Sequence, residues 1–401
     1  MYTAYSINHI SFHPDFLDKY VTIAALLFCT ITVIACRGET DSHTQAEGVF
    51  GDLVSEVDST KPLYQVVIEH EMTINQLDEP HIQNLWTIIT DDDGNIYWQD
   101  NRIAKLHQYS PTGDYMHSFG GKGRGPGEFE YLESSSISDD AIIMLDFFSQ
   151  IVHVFNRHTG DLIQSGTLER ENAMDALSPI HQVLAVTDTT FIGIPEFNRH
   201  ADQDSLSLIQ HAISGKILAN RLITYPPGDA LESRSGGVSR RTPTLFTAKS
   251  EVALLPDGGF VHSYATEPIF HIYDEIGVIQ RSISLNIEPV EITRNHLDRA
   301  IENSHSMIDL ASAVRNADWI PEFWPYWNNF HVDGHGNLWI EMNINPPDDR
   351  EWWVVSQDGE LLAKTQFSDN GTLRHIGKDD LYRTYYEDGV HELRRYRMRL
   401  E

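Results

Sequence analysis

The chain has 401 residues, 41% of them hydrophobic and 10% aromatic, enough apolar side chain for a real core and too much for a disordered protein. Its formal net charge of -30 is spread along the sequence; phosphates would be repelled, which excludes unaided work on nucleic acid. The two cysteines, Cys29 and Cys36, both lie near the start, so the body offers no disulfide, no cysteine zinc site and no cysteine nucleophile.

The first element is Val21–Ala35, an uncharged run of apolar and small residues preceded by Lys19. A bilayer span takes about 20 residues, so the run suits the apolar region of a signal peptide better. It ends in Val33-Ile34-Ala35-Cys36, which resembles a bacterial lipobox. The resemblance implies a signal peptide over residues 1–35, cleavage before Cys36 and acylation of that residue. Met1–Tyr20 is long for a signal peptide start and carries Asp15 and Asp18, so an uncleaved anchor or a later true start stays open. Residues 36–59 are polar and read as a flexible tether.

From Ile88 the chain repeats a unit. The first copy, Ile88–Gly120, reads as strand, Asp/Gly/Asn turn, strand ending at Asp100, strand ending at Tyr109, Thr-Gly-Asp turn and strand. Asp-Gly and Gly-Asn between β-formers signal hairpins, whose turns need positive φ. Later copies start near Ser136, Val186, Ala253, Phe330 and Arg374, with Asp146 at the place of Asp100. Six units of four short antiparallel strands, at propeller spacing, predict an all-β six-bladed β-propeller over residues 60–401. The last unit lacks its fourth strand, and an orphan strand, Leu63–His70, precedes the first. Placing that strand outermost in the sixth blade closes the ring and leaves no open seam.

The unit resembles NHL-type repeats, and Gly120–Phe129 (GGKGRGPGEF) resembles a signature of six-bladed propeller lipoproteins of Bacteroidetes-type bacteria. The resemblance implies the same fold and a lipid-anchored place in the cell envelope, facing the periplasm or exterior, with the outer membrane first among the options. It implies no chemistry, because propellers host many functions.

Two insertions break the spacing. Residues 225–250 link the third and fourth units and carry Arg234, Arg240 and Arg241; residues 286–329 link the fourth and fifth. Within the second, Leu297, Ala300, Ile301, Ile308, Ala311 and Val314 fall at helical spacing with Thr293 as a candidate N-cap. The aromatics Trp319, Phe323, Trp324, Tyr326 and Trp327 follow and read as a lid or a binding platform. Both insertions run from an outer strand to an inner strand, so both belong on one face. The three arginines with Trp324 and Trp327 are therefore the candidate ligand-binding residues.

Other motifs resolve against chemistry. The glycines of Gly120–Gly127 match neither phosphate-loop pattern and join strand to strand, with no helix N-terminus to hold an anion. Asp91-Asp92-Asp93-Gly94-Asn95 lacks the distant glutamate of a calcium loop and reads as a turn. His107, His153 and His271 recur at one strand position and read as repeated packing, whereas His331, His335 and His262 are candidates to approach the channel. No metal, cofactor or catalytic set is implied. The leading expectation is a non-catalytic binding or scaffold module for an unknown small molecule, glycan or protein, attached to the membrane by its lipid. Two others stand beside it: a lactonase- or lyase-type propeller enzyme with a metal or polar site at the channel mouth, and a structural stalk.

Overall fold

The computed structural model describes residues 54–401 apart from 76, 78–79, 171–177, 197–204, 236–237, 245, 303–309, 316, 318 and 347–348. Cys36 and the whole leader lie outside the described residues. Among the described residues no helix is long and apolar enough to cross a membrane.

Six antiparallel sheets form the predicted ring. The innermost strands are Thr87–Thr90, Leu132–Ile137, Ile180–Thr187, Ser250–Leu254, Trp327–Val332 and Thr372–Ile376, and each blade continues outward in chain order. Blades 2 to 5 begin three to six residues before the positions expected from sequence. Tight turns set the register. In blades 1 and 5 the turn aspartates, Asp91 and Asp333, accept from amides two and four residues on, at 2.8–3.0 Å. Each also accepts a hydrogen bond from the ring two residues past the turn, the Tyr97 hydroxyl at 2.9 Å and the Trp339 indole N–H at 3.0 Å. The Asp91 carboxylate is thus consumed by its own hairpin, which Arg157 reinforces at 2.6 Å.

A separate apolar cluster fills each blade interface, for instance Trp98, Tyr109, Ile88 and Leu393 between blades 6 and 1, and Leu106, Phe119, Phe129 and Met144 between blades 1 and 2. Burial of such side chains stabilises by about 1.5–3 kcal/mol each. Asp100 and Asp146 do hold equivalent positions: each accepts amides of its following turn and of the chain entering its own blade. The non-glycine residues four positions after them, Ala104 (φ 58°) and Gln150 (φ 52°), share a left-handed conformation that this capping over-determines.

The ring closes as expected, with a shifted register. The closing strand is β2 (Val66–Asn75), outermost in blade 6, where Val66 faces Leu400 and Ile74 faces Leu393. Leu63 and Tyr64 instead pair with the outer strand of blade 5. The expected tether is ordered at its end: β1 (Val54–Val57) lies parallel to the outer strand of blade 4, and Val57 is buried in the core shared by blades 4 and 5. The N-terminal segment therefore runs along the rim, touching blades 4, 5 and 6 in turn.

Both insertions leave from one face. The first forms a hairpin, Leu231–Ser235 with Val238–Thr242. The second contains helices α1 (Arg294–Glu302) and α2 (Leu310–Arg315), and Thr293 caps α1, its hydroxyl accepting the His296 amide at 3.2 Å. Ala300, Leu231, Phe246 and Trp324 form one core between the two insertions.

Candidate functional site

The innermost strands surround an axial channel with a cavity volume of about 550 Å³. Its lining is uneven. On the side of blades 2 and 3, Ser134 and Ser136 accept the amides of Val183 and Ala185 at 3.1 and 2.8 Å, so these hydroxyls stitch blades together. Blades 4 to 6 supply Glu251, Asn329, His331, Arg374 and His375. Lys249 reaches Glu251 at 2.9 Å. His375 Nε2 meets the Thr90 hydroxyl at 2.7 Å, and His331 stacks on Trp352 with centroids 5.7 Å apart. Arg374 spends its Nε on the Thr384 hydroxyl at 3.0 Å and has no carboxylate partner among the described residues.

Electrostatics follow from this enclosure. Burial, then the positive surroundings of His375, Lys249 and Arg374, pushes His331 down to about 3, and burial alone takes His375 to about 4. Both imidazoles are therefore neutral near neutral pH, leaving the fixed positive charge to Arg374 and Lys249. Burial pushes the Glu251 carboxyl up, with Glu341 adding to the shift and Lys249 opposing it. Glu133 is raised by burial and by Glu196. The chamber thus offers hydrogen-bond donors and acceptors around a guanidinium that no carboxylate among the described residues pairs, an arrangement suited to a small polar ligand with an anionic group.

The channel opens at both ends. Leu254, Val332, His375 and Ile376 are shared with a cavity of about 750 Å³ at the hairpin-turn mouth, where Asp91, Asp379, Lys378 and Arg397 stand. Trp86 is shared with a cleft of about 830 Å³ on the insertion face, between blades 6 and 1.

The residues singled out in sequence fare differently. Trp324 is buried, its indole donating to His296 Nδ1 at 3.2 Å, and Trp327 is fully buried, donating to the Ser263 hydroxyl at 3.1 Å. Packing claims both rings, so neither presents a platform; Trp327 belongs to the first strand of blade 5 rather than to the insertion. Arg234, Arg240 and Arg241 fall on the insertion hairpin, with side chains outside the described residues. His331 does line the channel. His335 is exposed on a hairpin, and His262 packs between blades 3 and 4 against Tyr225 at 5.0 Å. His107, His153 and His271 share one role, each placing Nδ1 2.7–2.8 Å from a serine hydroxyl on the neighbouring outer strand.

The glycine loop explains its own likeness to an anion site. The Glu128 carboxylate folds back to accept the amides of Arg124 and Gly125 at 3.1 and 2.8 Å, and Phe129 plugs the interface of blades 1 and 2. The nest is filled by the chain itself. Gly120, at φ +78°, stands where a Cβ would lie 2.8 Å from Phe129 and 3.0 Å from the Ala104 carbonyl, so only glycine fits.

These features define a six-bladed β-propeller with an axial channel. A family model described as a 6-bladed beta-propeller, DUF5128, matches residues 77–183. Among solved structures, a protein of Bacteroides fragilis described as a candidate exported protein superimposes with a TM-score of 0.52 at 10% identity, covering 87% of this chain and 99% of that one. A DUF4221 family member from Bacteroides vulgatus gives 0.53 at 11% identity, covering 84% and 99%. At such identities the likeness is one of fold. No curated protein matches the sequence.

Proposed function

We propose that the chain is a lipid-anchored cell-envelope module that binds a small anionic ligand in its axial channel without transforming it. The observation that carries the reading is Arg374, a guanidinium with no carboxylate partner among the described residues, in a chamber whose polar lining is otherwise neutral imidazoles, amides, Glu133 and the Lys249-paired Glu251. A metal-dependent enzyme would need ligands converging from several blades. Among the described residues no three His, Cys, Asp or Glu side chains stand close enough to hold an ion. The envelope location draws support from Val33-Ile34-Ala35-Cys36 at the end of the apolar run and from the Bacteroides protein described as exported.

Calorimetric titration of the whole chain with succinate and with inorganic phosphate tests the channel. Saturable binding that weakens about tenfold in Arg374→Met is expected. Heat indistinguishable from dilution for both probes, or equal binding by the variant, defeats the reading. For the anchor, Cys36→Ala should leave a precursor that takes up no labelled fatty acid; equal labelling of both proteins removes the lipid from the proposal.

A further inference from the structure

Three features meet in the cleft between blades 6 and 1. Its lining contains no aspartate or glutamate, in a chain with 59 of them, yet contains Arg102 and Lys122. Two large aromatic rings stand in it exposed, Trp86 at 45% and Tyr386 at 62%. Its polar wall is organised in advance: the Asn84 amide donates to Asn101 at 2.6 Å, and Asn101 donates to the Tyr131 hydroxyl at 3.2 Å, with Asn101 itself buried.

Each element has a local cause. The indole N–H of Trp86 donates to the Glu133 carbonyl at 3.0 Å, which fixes the ring plane and leaves a face to solvent. Tyr386 rests on His391, centroids 4.6 Å apart, in the last hairpin of blade 6. Asn101 and Arg102 lie in the turn capped by Asp100. Lys122 is held by the Glu130 carbonyl at 2.7 Å, while the Glu130 carboxylate is engaged by Arg124. Glu133, whose main-chain carbonyl holds Trp86, lines the channel and does not line the cleft, although its carboxylate bears on the Tyr131 hydroxyl.

We infer that this cleft binds an acidic oligosaccharide, stacking sugar rings on Trp86 and Tyr386 and pairing a carboxylate with Arg102. Flat aromatic faces suit the C–H faces of pyranose rings, which bury apolar area without needing a deep pocket. Neighbouring amides match vicinal hydroxyls in number of donors and acceptors. The guanidinium and ammonium, with no carboxylate lining the cleft beside them, select a negative charge. Extended peptides are usually held by adding a strand to a free sheet edge, and this cleft is walled by turns and blade-entry segments instead. Trp86 lines both cleft and channel, so the end of a bound chain reaches the channel entrance.

The inference stands apart from the channel reading, and one experiment separates them. The whole chain is titrated calorimetrically with a short galacturonic acid oligosaccharide, with the neutral galactose oligosaccharide of equal length, and with oligoglutamate of equal length. Expected is saturable binding of the acidic sugar, about tenfold tighter than the neutral one. Tyr386→Ala and Arg102→Gln, both at exposed positions, should each weaken it about tenfold without moving the melting temperature, while Arg374→Met leaves it unchanged. No binding of the acidic sugar up to roughly 10 mM, tighter binding of oligoglutamate, or loss of binding in Arg374→Met but not in the cleft variants would each overturn the assignment.

Discussion

Arg397 on the last strand and Glu71 on β2 meet at 2.6 Å across the seam that closes the ring. Glu71 also takes Arg395 at 3.3 Å, and Glu69 lies 3.9 Å from Arg399. The closing strand is acidic where its neighbour is basic, so charge adds to the ladder in choosing which strand completes blade 6.

That complementarity predicts a graded response. Glu71→Gln should cost about 1 kcal/mol, the worth of a partly exposed pair plus the repulsion left between two arginines, read as a lower urea midpoint at unchanged slope. A chain starting after Asn75 loses the whole strand and should aggregate or melt far lower. If the short chain melts like the full one, β2 does not close the ring.

The glycine loop yields a second prediction. Gly120→Ala should destabilise by about 2 kcal/mol, because the residue combines positive φ with a close approach to Phe129 and the Ala104 carbonyl. Glu128→Ala should cost less, about 1 kcal/mol, since water reaches the amides it leaves. The order of the two, measured by denaturant titration, is the test; a more damaging Glu128→Ala would mean that the anion nest, and not the turn, holds the loop.

The repeat grammar made the ring legible: turn aspartates, the Asp100 and Asp146 positions, and a strand missing at one end and spare at the other. Register was less legible at the ends. The alternation of Leu63–His70 matches a strand, but the bulge between His70 and Met72 and the arginine row from Arg394 to Arg399 place the partner at Val66–Asn75. That arginine row, facing Glu69 and Glu71, was the available signal. The site was scarcely legible. Arg374, His331 and Glu251 come from three blades, so no linear motif joins them. Trp324 and Trp327 looked like a platform because aromatic composition does not reveal which way an indole points. Trp86 and Tyr386, 300 positions apart in sequence, share a cleft only because the ring closes between them.

The rim segment gives a third prediction. Val57, the last residue of β1, is fully buried in a cluster with Trp327, Phe330 and Leu338. Val57→Asp would place a charge there without a partner, and β1 should leave blade 4 rather than bury it. Limited proteolysis should then cut near Val54–Val57 much faster than in the parent, with the ring still folded. Unchanged cleavage would show that β1 does not depend on this anchor.

Acidification supplies the last prediction. His107, His262 and His375 are held down at about 4 and His331 at about 3, in every case first by burial. Their unfolded value is near 6.5. A group with a lowered folded pKa leaves the unfolded chain binding more protons between the two values, so stability rises with pH across that window. The contribution is fully present above about pH 6.5 and is lost progressively as pH falls toward 4 and 3. Each fully shifted histidine forfeits about 2 kcal/mol between pH 6.5 and 5, less for those that face the channel water. Glu251, raised by burial, acts with the opposite sign, and its effect is fully present only at lower pH. The melting temperature should therefore fall steadily from pH 7 to 5, and His107→Gln with His375→Gln should flatten the decline. A melting temperature that holds level or rises over that range would show that these histidines take up protons in the folded ring.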